Sequence, residues 1–247
     1  MTKIANFRQR SIGKTFGSFA SRVPLRTPSG PQNTESQLET ELVIQLNFTP
    51  IVKDIITQPI IEYERAGKLI EYAADIFTCL WFWSIEHPCA YLIEVKRQAD
   101  LDQKKDEYAP KFAGAREWCA LNGAEFRIMT EKEIRTPYLH NAKLLGRHVR
   151  QFPDRLHLEA ILRLLRDRPK STAELLPLLR AEGIEEPDAR DAIEKAVANR
   201  DLGCDLSKKF DDDTLLDQGV VPNGAHPYDL APITKLLRFA QGGSEHI

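Results

Sequence analysis

Glu94 and Lys96 close the apolar run Ala90-Tyr91-Leu92-Ile93-Glu94-Val95-Lys96, and theirs are the residue types and spacing that first suggest chemistry. The run is rich in aromatic and β-branched residues and follows His87-Pro88, which predicts a buried strand. Side chains two apart on a strand leave the same face, so an acid and a base stand side by side while Val95 points into the opposite layer. Such a pair suits metal-assisted phosphodiester hydrolysis. The carboxylate holds a divalent cation, and the ammonium orients water or steadies developing phosphate charge. A solvated ion pair has the same residues and no chemistry, so the surrounding acids matter.

Two more carboxylates precede this strand. Thr34-Glu35-Ser36-Gln37-Leu38-Glu39 opens a helix with Leu38, Leu42, Val43 and Leu46 at helical spacing, ending near Asn47 and Pro50. Ser36 and Glu39 have capping-box spacing, which accounts for Glu39 without chemistry, although both roles are compatible. Residues 55–64 read as a strand, Ala66-Gly67-Lys68 as a hairpin turn, and residues 69–77 as the returning strand with Asp75 in its middle. That strand runs on into Cys79-Leu80-Trp81-Phe82-Trp83, an uncharged patch suited to core or interface. Residues 108–122 form a helix burying Phe112, Ala115 and Cys119 and ended by Asn122-Gly123, and residues 125–130 a short strand. One acid on a helix, one on a hairpin and Glu-x-Lys on the next strand can converge at one end of a mixed sheet and hold one or two Mg2+ ions. The order resembles the PD-(D/E)xK nuclease arrangement, here without the leading Pro, because Ala74 precedes Asp75.

The 247 residues suffice for one large domain or two small ones, and a formal net charge of −2 does not advertise nucleic acid. The distribution of charge is more informative. Residues 1–34 carry Lys3, Arg8, Arg10, Lys14, Arg22 and Arg26 with no acid before Glu35, an arm expected to be extended and suited to phosphate contacts or to be a solvated tail. Residues 137–150 read as a helix with Lys143, Arg147 and Arg150 on one face, either a solvated face or a DNA-facing stripe. Four cysteines lie far apart without a CxxC pair, which argues against zinc and for reduced thiols in a cytoplasm. No stretch approaches a membrane helix or a signal peptide.

Pro153-Asp154 marks the expected boundary. Helices follow over 156–166, 171–180 (with a Ser171/Glu174 capping box) and 187–200, then a small hairpin over 202–216, the element order of a winged-helix module. Its third helix mixes Asp188, Asp191 and Glu194 with Arg190, Lys195 and Arg200; the acids favour a protein-binding role over DNA reading. The expected organisation is an arm (1–34), an α/β restriction-endonuclease-like domain of mixed sheet flanked by helices (35–152), a mainly α winged-helix domain (153–216) and a tail (217–247).

Ser36-Gln37-Leu38-Glu39, Leu46-Asn47-Phe48-Thr49-Pro50, Gln58-Pro59, Tyr72-x-x-Asp75-Ile76-Phe77, Ile93-Glu94-Val95-Lys96 and Phe126-Arg127-Ile128-Met129-Thr130-Glu131 together resemble the N-terminal domain of TnsA endonucleases. The resemblance covers residues 10–150, and residues 156–216, with Cys204-Asp205-Leu206 and Asp213-Thr214-Leu215, resemble that family's C-terminal winged-helix domain. It implies the subunit of a heteromeric bacterial transposase that cuts the 5′, non-transferred strand at the ends of the element during cut-and-paste transposition. The implied partners are double-stranded DNA at transposon ends, a TnsB-like DDE recombinase that cuts and joins the 3′ ends, and a TnsC-like AAA+ regulator contacted by the C-terminal domain. Glu39, Asp75 and Glu94, with the Val95 backbone carbonyl, would hold two Mg2+ ions, Mn2+ substituting, and Lys96 would be the catalytic lysine. Some family members carry Gln where this chain has Glu94, and a carboxylate is the better ligand for a hard cation. Arg8, Arg10, Lys14, Arg22, Lys143 and Arg147 are the DNA-binding candidates. The alternatives are a stand-alone restriction or repair nuclease of the same fold, or a non-catalytic assembly scaffold, against which the intact Glu39, Asp75, Glu94 and Lys96 argue.

Overall fold

The computed structural model describes residues 7–11, 20–81 and 90–219. The chain divides into two compact units, one ending at Arg135 and the other beginning at Thr136.

The first unit opens with β1 (Ser21–Val23) paired antiparallel to β2 (Gln32–Thr34), followed by α1 (Gln37–Phe48). Ser36 caps α1, its hydroxyl accepting from the Glu39 N–H, and Leu42, Val43 and Leu46 are fully buried. Then come β3 (Val52–Thr57), β4 (Ile60–Arg65), β5 (Lys68–Ala73), β6 (Ile76–Leu80) and β7 (Ala90–Val95). Helices α2 (Gln98–Gln103) and α3 (Lys105–Asn122) lead to β8 (Glu125–Met129) and the short α4 (Glu131–Ile134). Strands order as β3-β6-β7-β8, antiparallel except for the parallel β7–β8 pair. The parallel pair needs a crossover, which α2 and α3 supply. Every residue of β6 and β7 is buried, which is why both read as continuous apolar runs. On one side α3 packs Ala115 and Cys119 against Leu92, Phe77 and Ile61.

Each long strand expected over 55–64 and 69–77 is in fact two. Gln58 takes a left-handed φ of 52° next to Pro59, and the paired chain breaks opposite it at Ala74-Asp75. Backbone bonds from Gln58 N–H to the Asp75 carbonyl (2.9 Å) and from Ala74 N–H to the Pro59 carbonyl (3.1 Å) hold the double bend. Beyond it, β4 and β5 form a separate hairpin that lies under α3. Close approach there requires Gly114, since a Cβ would stand 2.2 Å from the Tyr63 ring.

The expectation of an extended arm over 1–34 does not hold for its described residues. Arg10 N–H bonds the Gln58 carbonyl (2.9 Å), Ile60 N–H bonds the Arg8 carbonyl (2.8 Å), and Phe7 packs on Phe77 and Trp118. Val23, Gln32 and Thr34 are buried. The segment is short of its own core but finds unpaired backbone along the bend. In the aromatic patch, Cys79 and Leu80 are buried and Trp81 is exposed with the Lys53 ammonium 5.2 Å from its ring, while Phe82 and Trp83 lie outside the described residues.

The second unit contains α5 (Pro137–Leu145), a 3-10 turn at Gly146–His148, α6 (Arg155–Leu164), β9 (Lys170–Ser171), α7 (Thr172–Ala181), α8 (Glu186–Asn199) and β10 (Leu215–Leu216). The units therefore separate before α5 and not at 152/153. Helix α5 buries Tyr138, Leu139 and Leu145, and the Asn141 side chain donates to the carbonyls of Leu206 and Lys208 while accepting from Phe210 N–H, all within this unit. The Ser171/Glu174 capping box is formed. The hairpin expected over 202–216 is replaced: β10 pairs with β9, and Gly203 makes a single bridge to Asp217. The tail from residue 220 lies outside the described residues.

Candidate active site

Three elements deliver the acidic residues and lysine of the first unit to one place. The break between β5 and β6 puts Asp75 at a corner instead of in mid-strand, and the end of β7 carries Glu94 and Lys96. Antiparallel pairing sets Ile76 opposite Ile93, so the corner and the strand end are neighbours. Asp75 Oδ2 accepts from the Val95 N–H (2.7 Å) and from Lys96 Nζ (3.1 Å). Lys96 Nζ also lies 2.6 Å from Glu94 Oε1 and donates to the Val95 carbonyl (3.2 Å). The Tyr72 hydroxyl donates to Glu94 Oε2. Glu39, on the first turn of α1, accepts from Glu35 N–H (2.9 Å) and, at the longer 3.4 Å, from the Gln58 amide. Only half of the expected capping box therefore forms, since the Glu39 carboxylate turns to Glu35 N–H, one residue before the cap. Glu39, Val95 and Lys96 share a cleft of about 410 Å3 with Arg97, Glu131 and Arg135.

The electrostatics are those of crowded acids in a dry corner. Burial first, then the Asp75 charge, raises the Glu94 carboxyl to about 7 even though Lys96 and Tyr72 pull it down. Burial and the Asp75 charge likewise hold the Glu39 carboxyl above its ordinary range. Burial works against the Lys96 ammonium, yet Asp75 and Glu94 outweigh it and keep its pKa above the usual lysine value. Burial followed by the Glu94 charge pushes the Tyr72 phenol up, so it remains a donor.

Of the expected ligand groups, Asp75, Glu94 and the Val95 carbonyl converge on one positive centre, the Lys96 ammonium. These oxygens are the hard donors a divalent cation takes, so the set fits that chemistry. Among the described residues no group of three or more His, Cys, Asp or Glu side chains is arranged to hold a metal; the convergence is of two carboxylates and a carbonyl.

Of the DNA-binding candidates, Arg8 pairs with Glu71 and, at 3.8 Å, with Glu62 on the β4–β5 hairpin. Arg10 pairs with Glu35 and bonds the Gln58 side chain. Arg22 is exposed on β1, and Lys14 lies outside the described residues. Lys143 and Arg147 belong to the second unit, where Arg147 pairs with Glu194 at 3.1 Å. Sequence reasoning gave no role to Tyr72 and Gln58, although both stood in the quoted motifs. The signal was available in Tyr72, whose place two residues before the Ala74-Asp75 break puts it at the end of the hairpin strand beside the site.

A mixed sheet flanked by helices, with acids and a lysine meeting at a strand end, is compatible with a nuclease-like α/β domain. Residues 49–131 match the family model described as TnsA-like endonuclease N terminal, a stretch that holds β3 to β8 together with Asp75, Glu94 and Lys96. The match supports a TnsA-like endonuclease; it begins after Glu39 and ends before the second unit. No curated protein matches the chain significantly. No helix among the described residues is long and apolar enough to cross a membrane.

Proposed function

We propose that the protein is the TnsA-like subunit of a TnsA/TnsB-type transposase, hydrolysing one phosphodiester of the 5′, non-transferred strand at each element end. The observation that carries the reading is the convergence of Asp75, Glu94 and the Val95 carbonyl on a single cationic centre beside Glu39. Asp75, Glu94, Glu39 and the Val95 carbonyl would hold Mg2+, which when bound supplies charge neutralisation and an acidified water. The chain's own groups do the rest. A lysine held protonated by two carboxylates is a poor general base at neutral pH, so Lys96 acts as a donor to a phosphate oxygen as negative charge develops there. Tyr72 holds Glu94 from the other oxygen and remains protonated in that role. Water attacks phosphorus, the P–O3′ bond breaks, and the products are a 3′-OH and a 5′-phosphate.

Within the second unit, α6, α7 and α8 with the β9–β10 pair and the separate Gly203–Asp217 bridge support a winged-helix reading, and this unit is proposed to dock a TnsC-like regulator. The test of the nuclease reading is strand-specific cleavage of duplex element-end DNA in Mg2+, alone and with the recombinase and AAA+ partners. Asp75→Ala should abolish 5′-strand cleavage while leaving folding and DNA binding intact. Wild-type cleavage by a well-folded Asp75→Ala protein would refute the site.

A further inference from the structure

The bend at Gln58-Pro59 places one amide side chain in contact with separately supplied parts of the site. Gln58 is 1% exposed and sits at φ 52°, a conformation that a non-glycine residue keeps only where its surroundings enforce it. Its backbone N–H donates to the Asp75 carbonyl at 2.9 Å. Its side-chain Nε2 donates to Glu39 Oε2 at 3.4 Å. Its Oε1 accepts twice from Arg10, from Nε at 3.1 Å and Nη2 at 2.6 Å. Arg10 also pairs with Glu35, whose backbone N–H donates to the same Glu39 oxygen at 2.9 Å.

The chemistry of these groups fixes the direction of the chain of bonds. A guanidinium has donors only, so the amide oxygen must face Arg10. The amide nitrogen is then turned to Glu39, whose carboxylate when ionised has acceptors and no donor. Flipping the amide would set N–H against guanidinium and oxygen against carboxylate, losing every bond at once. Glu39 on α1 and Asp75 on the strand break belong to different elements, and Gln58 ties one to the other.

We infer that Gln58 is a positioning residue that fixes Glu39 relative to Asp75, and that Arg10 sets the direction of its amide. Arg10 then works inside the protein and not on DNA phosphate. The catalytic half of this inference rests on the nuclease reading above.

The test uses the full chain and single-turnover cleavage of duplex element-end DNA in Mg2+, with DNA affinity and its salt dependence measured in parallel. Gln58→Met keeps side-chain length and backbone strain, and should lower the cleavage rate about 10- to 100-fold with DNA affinity unchanged, the usual loss when a group supporting a ligand is removed. Arg10→Ala should lower the rate in the wild-type background and add little in the Gln58→Met background. Arg10→Lys should recover part of the loss. A readout free of metal and of activity is the Gln58 side-chain NH2 resonance in chelator, identified by its disappearance in Gln58→Met. It should shift in both Arg10→Ala and Glu39→Gln. Independent rate losses at positions 10 and 58 with no shift would overturn the inference, as would an Arg10→Ala protein that keeps its rate but loses affinity and salt slope. If Asp75→Ala cleaves like wild type, the nuclease reading fails instead, and the amide resonance still decides whether Arg10 orients Gln58. Should Gln58→Met not fold, the Arg10 variants, which alter a partly exposed side chain, carry the same comparison.

Discussion

Glu94→Gln should make the metal-free protein more stable above neutral pH. The Glu94 side chain is 6% exposed, with Lys96 on one oxygen and Tyr72 on the other. Burial and the Asp75 charge lift its carboxyl from the ordinary 4.5 to about 7. Between those values the folded protein binds a proton that the unfolded chain has already lost, so stability falls as pH rises. The protonated form's contribution is complete below the unfolded pKa and lost as pH climbs through the folded one. At roughly 1.4 kcal/mol per pH unit, that window amounts to on the order of 3 kcal/mol. Gln is neutral throughout and can still accept from Lys96, so most of the slope should vanish in Glu94→Gln, leaving the smaller part due to Glu39, whose carboxyl is also raised. Trp81, Trp83 and Trp118 all fall before Arg135, so tryptophan fluorescence reports the first unit alone. Urea unfolding in EDTA at pH 5, 6, 7 and 8 would measure it. If wild type and Glu94→Gln run parallel across that range, the carboxylate is not held in a crowded, dry corner and the electrostatic reasoning about the site is wrong.

Tyr72→Phe removes a hydrogen bond that favours ionised Glu94, so the acidic limb of the pH–rate profile should move up by about one unit, as a bond to a charged group is worth ~1.5–3 kcal/mol in part offset by relaxation. Gly114→Ala should destabilise the first unit by about 1–3 kcal/mol in urea unfolding despite alanine's better helix propensity, because the new Cβ meets the buried Tyr63 ring. Arg8→Ala should leave the salt slope of DNA binding nearly unchanged, well under the change of about one expected for a lost phosphate contact, because Glu71 and Glu62 already engage the guanidinium. Glu194→Lys should lower the melting temperature of the second unit, since Glu194 lies 3.1 Å from Arg147 and 2.8 Å from the buried His148.

What could be read before the structure was what short-range patterning controls. The buried run at Ala90–Val95, the cap at Ser36, the Asn122-Gly123 stop and the Ser171/Glu174 box are all local, and all formed. The double bend was not legible, because period-two apolar positions continue through both 55–64 and 69–77 while the break depends on two chain segments meeting. Only Gln58-Pro59 marks it, and a proline after a glutamine is equally good at a strand edge. The consequence for the site is large. A continuous Asp75 strand would alternate faces with its neighbours, whereas the corner lets Asp75 turn to Val95 N–H and Lys96.

Charge was the other place where sequence misled, and for one physical reason. A run of bases without acids in sequence says nothing about acids in space. Arg8 and Arg10 look like an uncompensated arm until the hairpin brings Glu71 and the α1 entry brings Glu35. The same holds in the second unit. The acids of α8 oppose phosphate only where they are free, and Asp191 pairs with Lys195 at 2.6 Å and Glu194 with Arg147, while Arg190 is held by Glu186 and Asp212. Paired this way, the helix neither repels DNA nor attracts a basic partner as strongly as its composition suggests. Exposed pairs of this kind contribute little to stability. Their effect is to cancel long-range field, so this helix presents shape and hydrogen-bonding groups more than net charge. At the Asp75 corner the balance runs the other way: Asp75 and Glu94 share one lysine, and burial with the Asp75 charge keeps the Glu39 and Glu94 carboxyls raised, so this corner favours added positive charge where the exposed pairs do not.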